Sequence, residues 1–115
     1  MLLVVMRDLV LGTKVLDAAK RAKVAASMVD ESVASLVAKN ASAVILDLND
    51  QRLKPLLVLE ELRRQRPELP IVAVCGHTNT AMIAAARAGG CEVLTNAEFA
   101  AKLDELVKRY GNPGA

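Results

Sequence analysis

Five short apolar runs recur along the chain, each followed by a longer segment with helical spacing. This alternation limits the possible folds more than any other feature of the sequence. The runs are residues 2–6, 24–28, 43–48, 71–75 and 92–95, and the segments between and after them are 9–22, 30–40, 55–66, 80–88 and 97–110. The runs are nearly continuous in Leu, Val, Ile and Ala rather than strictly alternating, as expected of strands covered on both faces. Strand and helix taking turns implies βαβ units, whose right-handed crossovers build a parallel sheet with helices on both sides. The reading is an α/β fold of (βα)₅ type.

The length of 115 residues suits one core and not two. We read residues 1–110 as that domain and 111–115 as a flexible tail, because Gly111, Pro113 and Gly114 fall together there. With 53% hydrophobic and 24% charged residues, the chain has enough apolar material to fold. Aromatic residues make up only 2%, Phe99 and Tyr110, so the core must be aliphatic. The same scarcity argues against a binder of single-stranded nucleic acid, which stacks bases on aromatic rings. The net charge of +2 is spread along the chain and predicts no phosphate-backbone partner. The run 2–6 is too short for a signal-peptide core or a membrane span, so it reads as a buried first strand of a cytoplasmic protein without membrane attachment.

Helix ends carry their own signals. Asp30 is placed to cap the second helical segment, and Pro55 suits the first turn of the third. Gly89 and Gly90 close the fourth. In the fifth, Phe99, Leu103, Leu106, Val107 and Tyr110 fall on one buried stripe.

Reactive groups in an open parallel sheet gather beyond the carboxyl ends of the strands. Those ends read Met6-Arg7-Asp8, Asp47-Leu48-Asn49-Asp50, Cys75-Gly76-His77 and Thr95-Asn96. Asp47 is the most informative residue, since a carboxylate at the end of a central strand is costly unless it has a task.

The segments Ser42-Ala43-Val44-Ile45-Leu46-Asp47-Leu48, Leu69-Pro70-Ile71-Val72-Ala73-Val74 and Ala88-Gly89-Gly90-Cys91-Glu92-Val93-Leu94-Thr95-Asn96 agree in order and spacing with one family. Over residues 2–110 the chain resembles the receiver domains of response regulators in two-component signal transduction. The resemblance implies the flavodoxin-like, doubly wound five-stranded sheet of order 2-1-3-4-5, with Asp47 at the phosphoacceptor position. It also implies an acidic pair for Mg²⁺, but the matching positions hold Met6 and Arg7, with Asp8 one place later. Cys75 stands where the family has a switch hydroxyl, Asn96 where it has a phosphate-contacting Lys, Ala97 where it has Pro and Val93 where it has an aromatic residue. Arg7, Asp8, Cys75 and Asn96 thus outline a degenerate pocket. The expectation is a stand-alone pseudo-receiver that is not an enzyme, needs no cofactor and signals by protein–protein contact. The alternative is a phosphorylatable receiver that uses Asp47 with Mg²⁺.

Two finer expectations follow. Arg7 and Asp47 lie on neighbouring strand ends, so the guanidinium is expected to fill part of the missing ion's volume and lower the Asp47 pKa. The segment 80–88 carries one charge, Arg87, on an otherwise small and apolar helix. Met82, Ala85 and Ala86 are therefore candidates for a protein interface, including a homodimer, on the face of the fourth helix, fifth strand and fifth helix. Its expected size is about 1,200 Å², the low end of specific interfaces. Failing that, Leu57 and Val58 beside the Arg63, Arg64 and Arg66 cluster come next. That basic cluster complements a helix carboxyl terminus, and no helix-turn-helix accompanies it. His77 lacks converging partners for a metal, and Cys75 and Cys91 fall at opposite edges of the sheet, too far apart to bridge. The turn after the first strand lacks the glycines and lysine of a nucleotide-binding loop, and flavin-site hydroxyls and aromatic walls are missing too.

Overall fold

The computed structural model describes residues 1–32, 34 and 38–111. Strands β1 (Leu2–Val5), β2 (Ala26–Val29), β3 (Ala43–Asp47), β4 (Ile71–Cys75) and β5 (Glu92–Thr95) form one sheet of order β2-β1-β3-β4-β5. Every neighbouring pair is parallel, with Val4 beside Ile45 and Ile45 beside Val72. The helices are α1 (Leu9–Arg21), α2 (Pro55–Gln65), α3 (Thr80–Ala88) and α4 (Asn96–Gly111), with short 3₁₀ turns at Ala38–Asn40 and Gln51–Leu53. The second helical segment expected at 30–40 includes residues 33 and 35–37, which lie outside the described residues, and ends in the 3₁₀ turn Ala38–Asn40. Asp30, assigned to its cap, accepts from the Ser32 N–H at 2.9 Å and the Ser32 hydroxyl at 2.5 Å.

The near-continuous apolar runs have the predicted cause. β1, β3 and β4 are buried from end to end, and alternate residues feed two separate cores. Leu2, Val4, Ile45, Val72 and Val74 pack with Val15, Phe99, Leu106 and Val107 from α1 and α4. Leu3, Val5, Leu46, Ala73 and Cys75 pack with Val58, Leu59, Leu62 and Ala86 from α2 and α3.

Two boundaries differ from the sequence reading. β2 begins at Ala26 rather than residue 24, because α1 ends in a Schellman motif that uses residues 23 and 24. The Val24 N–H donates to Ala19 O (2.8 Å) and the Lys23 N–H to Lys20 O (3.1 Å), with Lys23 left-handed at φ 59°. Lysine takes the place usually given to glycine there, so sequence pattern gave no warning. Gly111, assigned to a tail, is instead the last residue of α4 and is buried. A side chain there would collide with Val24. Residues 112–115 lie outside the described residues.

The amino edge of the sheet is fastened by two arginines of the basic cluster. From α2, Arg63 donates to Gly89 O (2.7 Å), Leu69 O (2.6 Å), Gly90 O (3.2 Å) and Pro67 O (3.3 Å). Arg66 donates to Ala41 O at 2.6 Å. These carbonyls lie at the turns feeding β3, β4 and β5, and at the end of α3. Arg64 pairs with Glu61 on the same helix at 2.6 Å.

Candidate functional site

Asp47 is the last residue of β3, beside Val74 of β4, and only 3% of it is exposed. Its Oδ1 accepts from the Asn49 N–H at 2.8 Å. Burial raises its pKa above the ordinary carboxylate range, and the charges of Asp50 and Asp8 add to the rise, while the bonds from Asn49 oppose it.

Arg7 does not pair with Asp47. Its guanidinium turns to the β2 side and forks onto Glu31, with Nη2 to Oε1 at 2.5 Å and Nε to Oε2 at 3.2 Å. The hydrogen bond to Arg7 lowers the Glu31 pKa. The expected lowering of the Asp47 pKa is therefore reversed. The physical reason is desolvation: Glu31 gives a planar fork near solvent, whereas reaching Asp47 would mean stripping water from a cation.

The sign of the resulting pH effect follows from proton binding. A folded-state pKa above the unfolded value means the native state holds more protons. Stability then falls as pH rises from the ordinary carboxylate range through the raised folded value. Asp47→Asn keeps an oxygen for the Asn49 N–H and removes the buried charge. It is expected to stabilise the protein by about 1 kcal/mol at neutral pH. Urea titrations at about pH 4 and about pH 7 should show a smaller loss in the variant; equal losses would contradict this assignment.

The remaining pocket positions are occupied by structural tasks. Asp8 caps α1, its Oδ1 accepting from the Leu11 N–H at 3.0 Å. Cys75 is fully buried at the end of β4, its thiol pKa raised by burial and by the charge of Asp47. Cys91, at the other edge, is pushed up to about 11 by burial. Both are free, and burial disfavours the thiolate at each.

Asn96 opens α4 because Thr95 and Glu98 form a reciprocal capping box. The Glu98 N–H donates to Thr95 Oγ1 (3.1 Å) and the Thr95 N–H donates to Glu98 Oε1 (3.0 Å). The Thr-x-x-Glu spacing carries that signal in the sequence, which the reading of a helix beginning at residue 97 overlooked.

The sequence reading also missed Asn49. Its Oδ1 accepts from the Gly76 N–H at 2.8 Å, and its Nδ2 donates to Asn96 Oδ1 at 2.9 Å. Beside it, Asp8, Leu11, Lys14, Asn49, Asn96 and Phe99 help line a cleft of about 270 Å³. His77 is exposed in the loop that follows.

A divalent ion of the Mg²⁺ type requires converging oxygen ligands. Met6 is buried, Arg7 is cationic, Asp8 serves as a helix cap, and no group of three His, Cys, Asp or Glu side chains converges among the described residues. The residues present do not fit that ion.

The interface candidates separate on the surface of α3. Ala86 is fully buried in the domain's own core, so it cannot meet a partner, and Met82 packs half-buried against the same core. Ala85 is half-buried, while Ala81, Ala84, Arg87 and Ala88 face outward. The helical period places residue 86 under the sheet-facing stripe. Leu57 is 61% exposed, but Val58 is buried.

No family sequence model and no curated protein sequence matches the chain. Solved structures do. The receiver domain of NtrX from Brucella abortus is 26% identical, with a TM-score of 0.78 over 96% of this chain and 97% of that one. The chain is similar in sequence and fold to the receiver domains of response regulators. Against a longer NtrX structure the chain matches with a TM-score of 0.79 at 26% identity, covering 95% of this chain and spanning 26% of the NtrX chain. A CheY-like receiver domain protein from Methanospirillum hungatei JF-1 shares the fold, with a TM-score of 0.76 over 95% of this chain and 94% of that one, at 12% identity. Among the described residues, no helix is long and apolar enough to cross a membrane.

Proposed function

We propose that this receiver domain works in two-component signalling as a protein-binding module, without Mg²⁺-dependent phosphorylation, cofactor or enzymatic turnover. The observation that carries the reading is the commitment of the two polar residues after β1: Arg7 forks onto Glu31 and Asp8 caps α1. Phosphoryl transfer depends on neutralising charge around the transferred group. Here the guanidinium after β1 is already paired, and the carboxylate that could help hold a metal cation is already committed to a helix cap. The alternative, Asp47 as phosphoacceptor, rests on its position at the end of β3 alone. A cytoplasmic location and a protein partner, with a second copy of the chain as one option, follow from the signalling role. Of the α3 residues, the outward Ala81, Ala84 and Ala88 offer the surface that Ala86 does not.

Incubation with acetyl phosphate or beryllofluoride and Mg²⁺ tests the reading. Mass spectrometry is expected to find Asp47 unmodified, and backbone NMR spectra are expected to be unchanged by beryllofluoride. Phosphorylated Asp47 would establish the alternative.

A further inference from the structure

Asn49 is an exposed side chain that fastens three strand ends at once. Its N–H donates to Asp47 at the end of β3, its Oδ1 accepts from the Gly76 N–H just past β4, and its Nδ2 donates to Asn96 just past β5. The orientation of its amide is determined by chemistry. Gly76 offers a backbone donor and so demands oxygen, which turns the nitrogen toward Asn96. No charge is involved on either arm.

We propose that Asn49 is a positioning residue, a neutral strut that holds the loop Gly76–Asn79 and the start of α4 in one arrangement. The state of Asp47 then has no control over that loop. The loop leads directly into α3, whose cap is Asn79, with its Oδ1 accepting from the Met82 N–H at 3.4 Å. The strut thus sets how the β4–α3 connection and the amino end of α3 are presented to a partner. Only this consequence rests on the protein-binding reading above; the strut itself stands on the two amide bonds.

Asp47 accepts from the Asn49 backbone N–H, a bond that an asparagine at position 47 also accepts, and the Asn49 amide beside it helps hold the Asp47 pKa down. Removing the Asn49 side chain leaves that backbone bond intact and cuts both arms. A carboxylate at position 49 can accept from Gly76, and can accept from Asn96 once the Asn96 amide turns over. Asn49→Asp is therefore the conservative replacement.

Amide hydrogen exchange on the full chain, read by NMR, tests the strut. In Asn49→Ala the Gly76 amide is expected to lose protection by about fivefold beyond any change at the core amides of Ile45 and Val72. Asn49→Asp is expected to retain the protection, and Asp47→Asn to leave Gly76 unchanged. If Asn49→Ala fails to fold, Asn49→Ser, whose hydroxyl is too short for either arm, reads the same bond. Equal Gly76 protection in wild type and Asn49→Ala overturns the proposal. So does an equal loss in Asn49→Ala and Asn49→Asp, or a loss in Asp47→Asn as large as in Asn49→Ala. Phosphorylation of Asp47 by acetyl phosphate would overturn the functional reading while leaving these exchange results to judge the strut.

Discussion

Arg63→Ala is expected to destabilise the domain by about 2–3 kcal/mol, lowering the melting temperature by roughly 10 °C. The guanidinium donates to four backbone carbonyls, at Pro67, Leu69, Gly89 and Gly90. These belong to the end of α3 and to the turns entering β4 and β5, where carbonyls lack helical or ladder partners. Truncation leaves several of them poorly satisfied in a half-buried setting, and the cost of an unmade bond exceeds the gain from making it. Arg63→Lys is expected to recover less than half of the loss, because an ammonium cannot span the fork that the planar guanidinium fills. Salt should have little effect on the wild-type value, since the acceptors are carbonyls rather than carboxylates. A thermal melt that shifts by less than about 3 °C would show that the four bonds are replaced by water without penalty.

Phe99→Ala is expected to be more damaging, by about 3–5 kcal/mol. Phe99 is the single phenylalanine of the chain and is 1% exposed. It shares the core of α1, α4 and the sheet with Met6, Val15, Val74 and Leu94. Among the fully buried side chains of that core the ring is the largest, so its removal leaves the largest hole. With the stability of a domain of this size typically about 5–15 kcal/mol, the variant would sit close to unfolding at room temperature. Phe99→Leu should cost less than about 2 kcal/mol. Urea midpoints give the comparison; a loss below about 1 kcal/mol for alanine would mean that α4 closes over the gap.

The sequence made the sheet legible because burial on both faces leaves an unambiguous mark. Leu2 to Val5, Ala43 to Leu46 and Ile71 to Cys75 have no other sensible location. The family resemblance extended this to strand order, and the sheet has that order. The site was legible in its inventory and not in its pairings. Arg7 and Asp47 do end on adjacent strands, but adjacency says nothing about which partner lets a cation keep its water, and Glu31 lies outside every motif. Asn49 was passed over for a similar reason: an asparagine in a loop looks like turn chemistry, and its two long-range bonds span 27 and 47 residues of sequence. Met82, Ala85 and Ala86 were selected for the small apolar character of their helix. That character records the side facing Leu59 and Ile71 as much as any side facing outward.

The two arginines at the amino edge have a consequence for how such a chain can change over generations. Arg63 and Arg66 anchor the turns entering β3, β4 and β5 from the end remote from Asp47. Substitutions at the opposite rim therefore do not loosen the fastening that keeps the layers together. Exposed positions there, such as Arg7 and Asn96, can change while the scaffold stays above its folding threshold. Robustness at one pole gives the other pole room for innovation.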